Sequence, residues 1–201
     1  MLDSLARLPG DPLDLDAYGE DFDRRFDALR GADAWKLERL QDFHQPENPS
    51  WMRYRSGETA EALRMLEQDR PELLEMFAGL ERRSARVLRV RVVEWPLTPY
   101  LHWELHSLHI RAQCGEHIRI IGPEALTNME NGGLLPEVVT LGAEATYRIR
   151  YDGGVLAGCV RYTDPEVTAA CRSGIAALYE SAEPIASFFP REVAAAETPR
   201  A

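Results

Sequence analysis

Residues 145–162 read ATYRIRYDGGVLAGCVRY. Two runs, Ala145 to Tyr151 and Val155 to Tyr162, flank Asp152-Gly153-Gly154, the composition of a tight β-hairpin. Thr163, Asp164, Pro165 and Glu166 then make a helix start, and Val167, Cys171, Ile175, Leu178 and Ala182 give that helix one apolar face. A hairpin followed at once by an amphipathic helix predicts a sheet with helical cover.

Upstream of the hairpin, Asn128 to Gly133 is rich in Gly and Asn, His117 to Ile121 is strand-like, and Pro96 opens a helix reaching about Ala112. Val87 to Val93 is a β-branched run broken by Arg89 and Arg91. Helical periodicity runs from Glu58 to Arg83 through Leu63, Leu66, Leu73, Leu74, Phe77 and Leu80. Pro71 interrupts it, but Asp69 with Glu72 resembles a capping box, so the spacing predicts two consecutive helices. Trp51 to Arg55 reads as extended, His44 to Ser50 as a loop, Trp35 to Phe43 as a weak strand and Leu13 to Leu29 as a short amphipathic helix. The expected fold is α+β, a mainly antiparallel sheet with helices packed on one side. It forms a single domain over 13–189, between a mobile N-terminus (1–12) and a mobile C-terminal tail (190–201).

The chain has 201 residues, with 33 acidic and 23 basic side chains and a net charge of −10. Half of that excess lies in residues 1–33, which hold nine acids and four arginines. Such a balance opposes direct nucleic-acid binding. No apolar run approaches the roughly 20 residues of a membrane span, and Met1 to Leu13 lacks the apolar core of a secretory leader, so a cytoplasmic location is expected. Cys114, Cys159 and Cys171 form no CxxC pair and read as small core or near-surface residues. Lys36 is the one lysine; the remaining cations are arginines, whose planar guanidinium suits fixed contacts to carboxylate or phosphate.

Two constellations carry chemistry. In the helix opened by Pro96, Leu97, Leu101, Leu105, Leu108 and Ala112 form a core-facing stripe, and His102, His106 and His109 form a second stripe roughly 110° around the axis. Boundary histidines of this kind ordinarily hydrogen-bond to backbone or solvent. The chemical alternative is a divalent metal held by His102, His106, His109 and His117, or acid–base work by His102 and His106 with Tyr100, Glu104 and Glu116 nearby. The register of His102-Trp103-Glu104-Leu105-His106 matches neither HExxH nor HxxEH, and haem ligation by one histidine is a third option. The second constellation is arginine at strand period: Arg53 and Arg55, Arg89 and Arg91, Arg148 and Arg150. On one sheet face these would collect six guanidinium groups for a small anionic ligand such as a phosphate or nucleotide, or for an acidic segment of a partner; ordinarily they would make a solvated face paired to the surplus acids. No Gly-rich phosphate loop and no G-x-S-x-G elbow is present.

Arg89-Val90-Arg91-Val92-Val93, Pro96-Leu97-Thr98 with Tyr100 and Trp103, Gly115-Glu116 with Ile118-Arg119, the hairpin and Asp164-Pro165 resemble an uncharacterised actinobacterial domain family, over about Phe22 to Phe189. Its members are often encoded beside helix-turn-helix regulators. The resemblance implies a regulatory or protein-interaction domain acting with a helix-turn-helix partner; the alternative is a histidine-based enzyme or small-ligand sensor in a biosynthetic pathway. Similar sequences carry an acid at the place of Pro99, an arginine at that of His102 and an acid at that of His117. The departure suggests that an ion pair has become a pair of histidines, His102 and His117.

Overall fold

The structure, a computed structural model, describes residues 1–195. Eight strands form one sheet: β1 (Asp11–Leu13), β2 (Ala34–Glu38), β3 (Val87–Val92), β4 (His117–Ile121), β5 (Val138–Leu141), β6 (Ala145–Asp152), β7 (Val155–Tyr162) and β8 (Glu183–Pro184), in the order β1-β7-β6-β5-β2-β3-β4-β8. The helices are α1 (Leu15–Ala28), α2 (Pro49–Arg55), α3 (Thr59–Gln68), α4 (Arg70–Arg82), α5 (Pro99–Cys114), α6 (Pro165–Ser181) and the short α7 (Ile185–Phe189).

The hairpin forms as expected. β6 and β7 pair antiparallel, and Gly153 and Gly154 turn the chain at φ 55° and 82°, a conformation that residues with a Cβ adopt at a cost. The sheet, however, is mixed rather than mainly antiparallel, because β2, β3 and β4 run parallel. The helices α2 to α4 connect β2 to β3, and α5 connects β3 to β4, the crossovers that parallel neighbours require. β3 is buried at all six positions, as a strand covered on both faces must be; Arg89 and Arg91 disguise that in the sequence.

The helices also pack on both faces, not one. Leu37, Val90 and Val138 point into a core built with Cys171, Ile175 and Leu178 of α6. Ala34, Val87, Val139 and Tyr147 point the other way, toward α1 to α5, where Tyr18, Phe22 and Phe26 of α1 lie against that surface. A third cluster joins Leu101, Leu105 and Leu108 of α5 to Ile118 and Ile120 of β4 and Phe188 and Phe189 of α7. Cys114, Cys159 and Cys171 are free and buried.

Trp51 to Arg55, expected to be extended, is helical, because the Asn48 side chain caps the Trp51 N–H and Pro49 sits in the first turn. Residues 1–12, expected to be mobile, bury Leu2 and Leu5 in the α6 core and supply β1, whose Leu13 pairs with Cys159. In the C-terminal tail, Pro190–Ala194 forms one π-helical turn with Val193 buried; residues 196–201 lie outside the described residues. Among the described residues no helix is long and apolar enough to cross a membrane.

Candidate functional site

Alternation along β2 and β3 puts Lys36, Glu38, Arg89 and Arg91 on the face covered by α5, with Glu38 opposite Arg91 in register. They form a buried charge array. Arg89 Nη1 donates to both Glu38 oxygens at 2.9 and 2.8 Å, and its Nε donates to Glu116 at 2.6 Å. Lys36 Nζ lies 2.7 Å from Glu38, and Arg111 closes the far side of Glu116. Arg91, fully buried, donates from Nε to Glu104 of α5 at 2.7 Å and from Nη1 to the Val92 carbonyl; its Nη2 is buried without a partner.

Three acids, Glu104, Glu38 and Glu137, act on Arg91. Burial raises Glu104, and the nearby charge of Glu38 adds to it against Arg91. Burial and Glu38 push Glu137, at the entry to β5, up to about 7, although its Oε1 accepts the Arg39 and Leu40 backbone N–H groups. Burial works in the same direction on Glu38 itself, but Arg89 and Lys36 outweigh it and hold this carboxyl well below its ordinary value. Glu116 is likewise held low by Arg89 and Arg111 against burial.

At the carboxyl ends of β2 and β3, where ligands of α/β proteins commonly bind, the array meets a cleft of about 640 Å³. Phe43, Trp51, Tyr54 and Tyr100 form its aromatic wall, Asp42, His44 and Arg55 its polar rim, and Gly153-Gly154 at the hairpin tip one edge. The His44 N–H donates to the Gly154 carbonyl at 2.9 Å, tying the hairpin to the loop after β2. Tyr100 links cleft to array: it accepts from Gln45 Nε2 at 2.8 Å and donates to Glu104 Oε1 at 3.3 Å. Burial and the Glu104 charge raise the Tyr100 phenol far above its ordinary value, so it stays a neutral donor. The Arg91 guanidinium carbon lies 6.0 Å from the centre of the Phe43 ring.

The predicted residues divide between three places. Glu104, Glu116, Arg89 and Arg91 belong to the buried array, and Tyr100 to the cleft wall. His102 lies behind that wall, with Nδ1 2.7 Å from the Tyr54 hydroxyl and its ring 5.4 Å from His106. His106 and His109 are covered by Phe189, which stacks parallel on His109 at 4.2 Å. Burial lowers His109 below its ordinary value. His117 is exposed at the start of β4 and lines a smaller cleft of about 280 Å³ with Arg119 and Tyr179. From His102 to the end of α5 is about 18 Å of helix, so the suggested His102–His117 pair does not form. Among the described residues no three His, Cys, Asp or Glu side chains are grouped to hold a metal ion.

The six-arginine face does not form either. Arg53 and Arg55 are on α2. Val90 aligns with Leu37, Leu37 with Val138 and Val138 with Arg148, so Arg148 lies on the sheet face opposite Arg89 and Arg91. Arg150 is exposed further along β6. Sequence reasoning missed Glu38, Phe43, Trp51, Tyr54 and Glu137. The Trp51-x-x-Tyr54 spacing would have signalled a helical aromatic face had Asn48-Pro49 been taken as a helix start.

A family model described as "Domain of unknown function (DUF6879)" matches residues 20–190. No curated protein matches the chain.

Proposed function

The chain belongs to the DUF6879 family, and on the strength of its cleft we propose that it is a non-catalytic, ligand-responsive regulatory domain that acts with a helix-turn-helix partner. The carrying observation is the aromatic cleft coupled through Tyr100 to a buried charge array. A planar apolar molecule would seat against Trp51 and Tyr54, and an oxygen or nitrogen on its edge would exchange with Gln45 at the Tyr100 hydroxyl. Loss or gain of that bond changes the surroundings of Glu104, hence of Arg91 and the β3 strand. A neighbouring cation–carboxylate array under low dielectric makes such a change consequential. The family resemblance supports the partner.

Of the four tryptophans Trp51 lines the cleft, and its signal is the part of the tryptophan fluorescence that Trp51→Phe removes. Tryptophan fluorescence is titrated with a panel of planar heterocycles: indole, quinoline, flavin and the free nucleobases. Saturable quenching by one member, lost in Tyr54→Ala, is expected; quenching by none, or quenching unchanged in Tyr54→Ala, contradicts the proposal.

One contact favours the enzymatic alternative: Tyr54 on the wall with its hydroxyl 2.7 Å from His102 Nδ1, an arrangement in which imidazole can take the phenolic proton. Mass spectrometry of a quenching compound after prolonged incubation separates the two. Unchanged compound supports the binding domain; conversion that His102→Gln abolishes supports acid–base catalysis.

A further inference from the structure

The two most exposed large apolar side chains among the described residues are Leu134, at 59%, and Trp95, at 57%. They stand on neighbouring loops at the carboxyl end of the parallel strands. One guanidinium joins those loops: Arg39 lies 2.6 Å from Glu94 and 2.6 Å from Glu130, and Glu130 also accepts the Leu135 N–H at 2.9 Å. Each exposed residue is therefore one position away from a residue bound into the same clamp.

Both sides of the Trp95 loop are fixed. The Gln41 side chain donates to the Val92 carbonyl at 2.9 Å and accepts the Glu94 N–H at 2.8 Å, while Thr98 donates to the Gln41 carbonyl. An exposed tryptophan on a loop held in this way is preorganised, and tryptophan is the side chain most enriched among residues that dominate protein interfaces.

The surrounding charge is one-sided. The segments 40–48, 93–98 and 122–137, which form this end of the sheet, contain Asp42, Glu47, Glu94, Glu124, Glu130 and Glu137 and neither lysine nor arginine. Arg39, which reaches Glu94 and Glu130, is only 4% exposed and is matched by those two carboxylates, and Arg55 of α2 shares the cleft rim with Asp42. Glu94 remains 40% exposed beside Trp95.

We infer that this loop end is a docking surface for a basic, amphipathic segment of a protein partner, with apolar side chains seated on Trp95 and Leu134 and flanking arginines or lysines facing Glu94 and Glu124. The inference rests on the reading of the chain as a partner-acting regulatory domain and gives that partner its chemistry. The charge that repels nucleic acid here attracts a basic protein segment.

The probe is a fluorescein-labelled helical 16-mer with leucine at one face and arginine elsewhere, titrated against the full chain by fluorescence anisotropy. Its control is the same peptide with glutamate for arginine. Binding of the arginine peptide alone is expected, weakened roughly tenfold or more by Trp95→Ser or Leu134→Ser. Because both side chains are exposed, both variants should keep the melting temperature of the parent, and Leu134→Ser, which retains all four tryptophans, should also keep its ligand quenching, which separates failure here from failure of the cleft. Two results would overturn the inference. One is equal peptide affinity in Trp95→Ser and Leu134→Ser, including loss of binding only when the exposed α1 acids Asp16, Glu20, Asp23 and Asp27 are changed to Asn. The other is a parent chain that sediments as a dimer which Trp95→Ser dissociates, assigning the surface to a second copy.

Discussion

The Tyr100 hydroxyl lies 3.3 Å from Glu104 Oε1, one turn along α5, and this hydrogen bond joins the aromatic cleft to the ion pairs beneath it. Glu104 faces both ways, with its other oxygen 2.7 Å from Arg91. Tyr100→Phe keeps the ring contacts with Phe43, Trp51 and Trp103 and removes only the hydroxyl. It is expected to lower unfolding free energy by about 1–2 kcal/mol, since Gln45 and Glu104 each lose a partner. Urea denaturation of parent and variant measures this; a difference near zero means the bond does not form.

Arg91 and Glu104 should behave as a unit. Removing either partner leaves an uncompensated charge in the interior, at a cost of about 3–5 kcal/mol, whereas replacing both with apolar residues is much less costly. A double-mutant cycle with Arg91→Met and Glu104→Leu should therefore show strong coupling. Additive effects would mean that the two side chains do not interact.

Glu137 sets a pH dependence with a definite sign. Its folded-state value, about 7, is above the ordinary 4.5, so the folded chain holds this proton more tightly than the unfolded chain does. The stability this contributes is complete below about 4.5 and is lost as pH rises through about 7. Glu137→Gln carries no proton to lose. The parent should lose stability relative to Glu137→Gln between pH 5 and pH 8, measured by denaturation at each pH; a constant difference across that range contradicts the assignment.

His102 and His117 are expected to be energetically independent. His102 bonds to Tyr54, while His117 is exposed on β4. The stability effects of His102→Ala and His117→Ala should add within about 0.5 kcal/mol in the double variant. Larger coupling would restore the idea of a histidine pair.

Elements with local signals were legible in the sequence. The Asp152-Gly153-Gly154 turn, the Asp164 cap of α6 and the division of α3 from α4 all appear where spacing and composition place them. What escaped was determined by contacts between distant segments. Arg89 and Arg91 look like the solvent side of a half-exposed strand, and only Glu38, Glu104 and Glu116, from β2, α5 and the turn after α5, make their burial tolerable. That misreading carried two others with it, the antiparallel centre of the sheet and the single arginine face. The α5 histidines were expected to bond to backbone or solvent, but their partners, Tyr54 of α2 and Phe189 of α7, lie far away in the sequence. Of the candidate site, Tyr100 and Glu104 were visible as neighbours of the α5 histidines; the aromatic wall from Phe43, Trp51 and Tyr54 was not, because Trp51 to Arg55 was read as extended.

The most direct measurement is a crystal structure of the chain with the first compound that quenches Trp51. The expected result is ligand density against Trp51 and Tyr54 with a polar atom in hydrogen-bond contact with the Tyr100 hydroxyl. Density seated instead between His117, Arg119 and Tyr179, with the Tyr100–Gln45 contact undisturbed, would contradict the assignment of the cleft as the regulatory site.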